Sequence, residues 1–172
     1  DNVSLYLLEF QKRAVQVFVT DSRTDFEALK NDLDNYIELA QDMDPTSPYC
    51  RYLQAEFYFL ESLLRFKFGE HYIAAAHIRK GYKLIQENEA LFPDFIPNNK
   101  YAGLIHAAIG MVPEQYRWLT TLSGFDGNLS QGISELQQLS DNTGGSAYLK
   151  YEQEQANMIL IFILLNFKQD IA

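Results

Sequence analysis

The sequence predicts an all-α chain of stacked antiparallel helix hairpins, and three observations carry that expectation. Along most of the chain apolar residues recur at spacings of three and four, the period of a helix face. The five prolines and nine glycines fall mostly between those stretches, where helix ends would place them. A pattern also returns: Phe59 to Lys67 reads FLESLLRFK and Leu160 to Lys168 reads LIFILLNFK, 101 residues further on.

Taken in order, Val3, Leu7, Phe10, Ala14 and Phe18 mark one face of a first helix, broken at Asp21-Ser22-Arg23. Thr24 and Glu27 form a capping-box pattern that opens a second helix with Phe26, Leu29, Leu33, Tyr36, Ile37 and Ala40 on its stripe. Ser47-Pro48 reads as an N-cap followed by a first-turn proline, whose missing amide the helix start could not use. The third helix, to about Phe68, bears two stripes: Leu53, Phe57, Leu60 and Leu64, then Tyr52, Phe59, Leu63 and Phe66. Such a helix should be covered on two sides, as inside a stack.

Gly69 supplies a turn, and a fourth helix from Glu70 to about Leu91 carries Ala74, Ile78, Gly81 and Ile85, small enough to let two backbones approach. After Pro93 and Pro97 a short helix should stop at Gly110, and another should run from Pro113 to Ser123. Asn128 caps a further helix with Leu129, Ile133, Leu136 and Leu139, and the last spans about Ser146 to Lys168. These are about eight helices in one domain, residues 1–172, and 47% apolar composition suffices for a continuous core.

The stretch AEFYFLESLLRFKFGEHYIAAAHIRKG from Ala55 resembles a tetratricopeptide repeat, in a divergent form. Ala55 and Tyr58 match its small and aromatic first-helix positions, Gly69-Glu70 its turn, and Ala74 its second-helix small position. Glu61-Ser62 stands where that pattern has leucine-glycine, and Gly81 where it has alanine. The 101-residue offset is close to three of the family's ~34-residue periods. Gly103 and Gly110 keep the spacing of the first-helix glycine and the turn glycine in a second copy. One helix, Pro113–Ser123 or Asn128–Leu139, is then surplus, so the middle repeat carries an insertion.

The resemblance implies a non-catalytic scaffold whose first helices line a groove for a protein or peptide. The matching positions are Glu56, Phe59, Leu63, Phe66 and Lys67, where rings would supply contact area and charges would fix register. If Lys168 corresponds to Lys67, the partner of the last helix falls beyond Ala172, and Leu160, Phe162, Ile163 and Phe167 are left uncovered. Further repeats in a longer parent protein, or a homodimer through that face, would cover them. The chain starts at Asp1 with no charged leader, so either a targeting sequence was removed or this is an excised piece. Cytoplasmic, periplasmic and secreted settings all stay open.

The net charge of −9 disfavours a nucleic-acid partner. The longest apolar run, Met158 to Leu165, is far short of the ~20 residues that span a bilayer. Cys50 has no second cysteine to pair with. His71, His77 and His106 lack metal-site spacing, and His71 and His77 lie about 240° apart around one helix. Asp42, Asp44 and Thr46 alternate like a calcium loop, but Ser47 and Leu53 stand where that loop needs glycine and glutamate. No phosphate loop or nucleophile elbow occurs, so no enzyme activity, cofactor or metal is expected. The competing reading is a small-molecule or carbohydrate pocket, enzymatic or not, around Tyr101, His106, Tyr116, Arg117 and Trp118.

Overall fold

The computed structural model describes residues 2–112 and 124–167, with the side chains of 2–4 left aside. Among these residues the chain is all-helical: α1 (Asn2–Thr20), α2 (Arg23–Gln41), α3 (Pro48–Lys67), α4 (His71–Leu91), α5 (Asn98–Gly110), α6 (Leu129–Ser140) and α7 (Ala147–Phe167). Seven helices are therefore described where about eight were expected. The expected helix Pro113–Ser123 lies outside the described residues.

Local chemistry accounts for the ends. Ser47 accepts from the Tyr49 amide at 3.3 Å with Pro48 in the first turn, and Asn128 accepts from the Gln131 amide at 2.9 Å. Gly69, at φ 82°, takes the left-handed turn between α3 and α4. The start of α2 differs from the capping-box expectation: its N-cap is Ser22, whose hydroxyl accepts from the Asp25 amide at 3.2 Å. The helix thus begins one residue before Thr24, and Glu27 pairs instead with Arg23 at 3.0 Å. Asp44 accepts from the Thr46 amide (2.9 Å) and hydroxyl (2.7 Å), so this carboxylate closes its own turn.

The chain divides into two compact units, residues 1–92 and 93–172. In the first, α1 to α4 run alternately up and down. Phe10 of α1 meets Tyr36 of α2 and Phe57 of α3 edge-on, with ring centroids 4.9 and 5.0 Å apart, and Phe26 stacks on Phe68 at 4.5 Å. Asn88 near the end of α4 donates to the Pro48 carbonyl at the start of α3 at 3.0 Å, which closes that hairpin. The whole expected α2 stripe is buried. On α1 the buried line is Leu7, Phe10, Ala14 and Val17, with Phe18 rotated outward. A one-residue difference decides this, because Val17 and Phe18 continue the 3–4 spacing equally well in sequence.

The second unit packs α5 against α6 and both against α7. Its core joins Ala107, Leu129, Ile133, Leu136, Leu139, Ala156, Leu160 and Ile163. Here glycines set the distance between helices. A Cβ on Gly132 would lie 2.4 Å from the Ala107 amide nitrogen and the Gly103 carbonyl oxygen, and one on Gly110 would lie 2.1 Å from the Leu129 amide nitrogen. Gly110 therefore admits the α6 backbone and is itself the last residue of α5, a different task from the left-handed turn of Gly69. Gly81, expected to let backbones meet, instead faces a ring: its Cβ would touch Cζ of Phe59 at 3.0 Å.

Candidate functional site

The five residues expected to form a groove lie along one side of α3, and the structure divides them. Glu56 is fully buried beneath α1, accepting from Gln11 Nε2 at 2.8 Å, and Phe59 is buried against Gly81 of α4. Leu63, Phe66 and Lys67 reach the surface. The expected stripe is thus core at its N-terminal end and surface at its C-terminal end, although α1 reaches Lys67 through Phe18 and α4 reaches Phe66 through His71. Sequence spacing places residues on a face without saying how far along it a neighbour extends.

What sequence reasoning missed is the contribution of α1. Lys67 Nζ sits 4.3 Å from the centre of the Phe18 ring and 2.6 Å from Asp21 Oδ1 in the α1–α2 turn. With Gln11 beside Glu56 and Phe18 beside Lys67, α1 and α3 are neighbours running the same way. Phe18 (46% exposed) stands beside Lys67, and Leu63 (56%) and Phe66 (42%) are exposed at the same end of α3, with the Phe66 ring 5.5 Å from that of His71. Leu63 precedes Lys67 by one helical turn, and Val15 precedes Phe18 by nearly one. Asp21 holds a positive φ of 53°, a conformation aspartate tolerates better than most side chains, and so its carboxylate meets Lys67. Two apolar residues at the end of a helix stripe are an available signal, but only the fold puts Phe18 next to Lys67 at that end.

Behind this surface lies a charge network. Glu70 accepts from Lys30 (2.9 Å), Arg23 (3.2 Å) and Arg65 (2.5 Å), and Arg65 also bonds Glu61, which is fully buried and takes His77 Nδ1 at 2.8 Å. Desolvation pushes the Glu70 carboxyl up, yet the hydrogen bond and charge of Lys30, with the charges of Arg65 and Arg23, outweigh it and hold the group below its ordinary range. Burial raises the Tyr58 hydroxyl above its ordinary value, with the charges of Asp34 and Glu61 adding to it, and the Tyr58 ring packs edge-on against His77. The network ties α2, α3 and α4 together at one end. Within it Glu61 is paired with Arg65 and His77, and the neighbouring Ser62 turns its hydroxyl back to the Tyr58 carbonyl at 2.6 Å.

Of the alternative pocket, Tyr116, Arg117 and Trp118 lie outside the described residues. Tyr101 and His106 are buried, and His106 Nδ1 lies 2.6 Å from Glu135 Oε2 and 3.0 Å from Gln131 Nε2, so this histidine links α5 to α6. Lys100, also buried, meets Glu152 at 2.6 Å and Gln155 at 2.7 Å on α7. Among the described residues no group of three or more His, Cys, Asp or Glu side chains is placed to hold a metal ion. No described helix is long and apolar enough to cross a membrane.

The last helix corrects another expectation. Leu160 and Ile163 belong to the core and Phe167 packs against it, leaving Phe162 alone of the four on the open side. Because α7 is apolar on nearly every side from Met158 to Leu165, sequence cannot say which side its neighbours take. Compared with known protein families, curated proteins and solved structures, the chain matches none.

Proposed function

We propose that the first unit is a non-catalytic binding scaffold of tetratricopeptide-like character that holds a protein or peptide segment on the α1–α3 surface. The observation that supports the reading is that two parallel helices expose apolar side chains at the same end, Phe18 of α1 beside Lys67, and Leu63 and Phe66 on α3. Rings and leucine offer anchor area, and the rigid charge network behind them keeps the helix ends from rearranging on contact, which limits the ordering cost of binding. An extended or helical segment with apolar anchors suits this surface.

Phe59 fills the space against Gly81, so its removal would test folding instead of binding. The informative variant is L63D/F66A, at two exposed positions. Peptides selected from a random display library on the wild-type chain should bind this variant at least tenfold more weakly while its far-ultraviolet circular dichroism is unchanged. Equal binding by the folded variant would remove the reading.

A further inference from the structure

The open side of α7 carries an apolar stripe that the peptide surface does not use. Met158, Ile161, Phe162 and Leu165 recur at the 3, 4, 7 spacing of one helix side, each between 58% and 79% exposed, with Leu164 at its edge. No charged residue falls between Glu154 and Phe167. A helix that buries one side and remains apolar on the other is built to be covered twice.

We infer that a second copy of this chain covers it, through a twofold antiparallel pairing of α7 with α7. The inference stands apart from the peptide-binding reading. Three features favour a second copy. First, a twofold axis at the midpoint between Ile161 and Phe162 maps the stripe onto itself. It sets Met158 against Leu165 of the second copy and Ile161 against its Phe162, as an isologous interface requires. Asn157 and Asn166 exchange places in the same way, so the rim also matches.

Second, a chain with net charge −9 pairs with its own copy at least electrostatic cost through a face that brings no charged side chains together, and this stripe is such a face. The exposed line on α1, Leu5, Leu8, Val15 and Val19, is less suited because Lys12 sits within it and would be brought close to its own counterpart. Third, at roughly 150–200 Å² for a fully exposed large apolar side chain, the five exposed residues offer on the order of 500 Å². Over two copies that is about 1,000 Å², the size a specific interface needs at least.

Light scattering of the whole chain at tens of micromolar should give about twice 19.9 kDa, falling toward the monomer on dilution. F162E and, separately, I161K should each weaken the dimer at least tenfold without loss of helicity, whereas L5E on α1 should leave it intact. A mixture of the single variants M158C and L165C should form an intermolecular disulfide that neither forms alone, because the two positions meet only across the axis; Cys50 is buried and should not compete. A monomer at every concentration, a dimer that survives both F162E and I161K, or equal cross-linking of the single variants would overturn the proposal. Flotation of a monomeric chain with anionic lipid vesicles would overturn it in favour of a lipid surface.

Discussion

The two units solve the same problem, holding helix hairpins at fixed separation, with opposite materials. In residues 1–92 the gaps are filled by rings: Phe10, Tyr36 and Phe57 interlock, Phe26 stacks on Phe68, and even Gly81 serves to seat the Phe59 ring. In residues 93–172 the gap between α5 and α6 is closed by removing side chains, with Gly103, Gly110 and Gly132 at backbone contact. Charge follows the same division. The first unit spreads its carboxylates over a many-membered network ending in Glu70, which is partly exposed, whereas the second concentrates one ion pair, Lys100 with Glu152, almost wholly out of water. Filling with rings tolerates local change, because a ring edge can shift by a few tenths of an ångström. Backbone contact cannot yield in that way.

The sharpest way to break the contrast is to empty the first unit. Phe10→Ala, at a fully buried ring with two aromatic neighbours, should cost about 4 kcal/mol in urea denaturation, with hydrogen-exchange protection lost first in α1 to α3. An effect below about 1 kcal/mol would mean that the rings do not set the separation.

The glycines give the next test, as a pair. Gly132→Ala should cost about 3 kcal/mol, because its methyl group would overlap two backbone atoms of α5. Gly81→Ala should change stability by less than about 1 kcal/mol, since a 3.0 Å contact with a ring end is offset by the higher helix propensity of alanine. Equal costs in the two units would erase the distinction between ring filling and backbone contact.

The smallest effect concerns pH. Glu70 has a folded-state pKa below its ordinary value, so its contribution is present at neutral pH and is lost as pH falls below about 4.5 toward the folded value. Glu70→Gln should therefore flatten the acid side of the first unit's stability profile. The difference at pH 7 should be about 1 kcal/mol, because Arg23 is more than half exposed and Arg65 keeps Glu61 as a partner, which leaves Lys30 as the main pairing lost. An unchanged profile would show that the network is electrostatically idle.

Helix positions were largely legible because they depend on neighbours in sequence. The whole α2 stripe, the Ser47 and Asn128 caps and the Gly69 turn follow from residues within a turn or two of one another. The candidate site was legible only in part. Of the residues expected along a groove, Leu63, Phe66 and Lys67 are exposed while Glu56 and Phe59 are core, and Phe18 entered only through the parallel placement of α1 beside α3. On α7 the spacing marked an apolar helix without saying that Leu160 and Ile163 turn inward and Phe162 outward.

The sequence by itself determined that this chain is helical, where most of its helices begin and end, and which residues could face a core. These are consequences of hydrogen bonds and apolar periods that act over a few residues. Only the tertiary structure decided which of two apolar sides is covered, how far along a helix the cover extends, and whether a glycine admits a backbone or a ring. Those outcomes depend on surfaces brought together from distant parts of the chain, and no local period encodes the distance at which they meet.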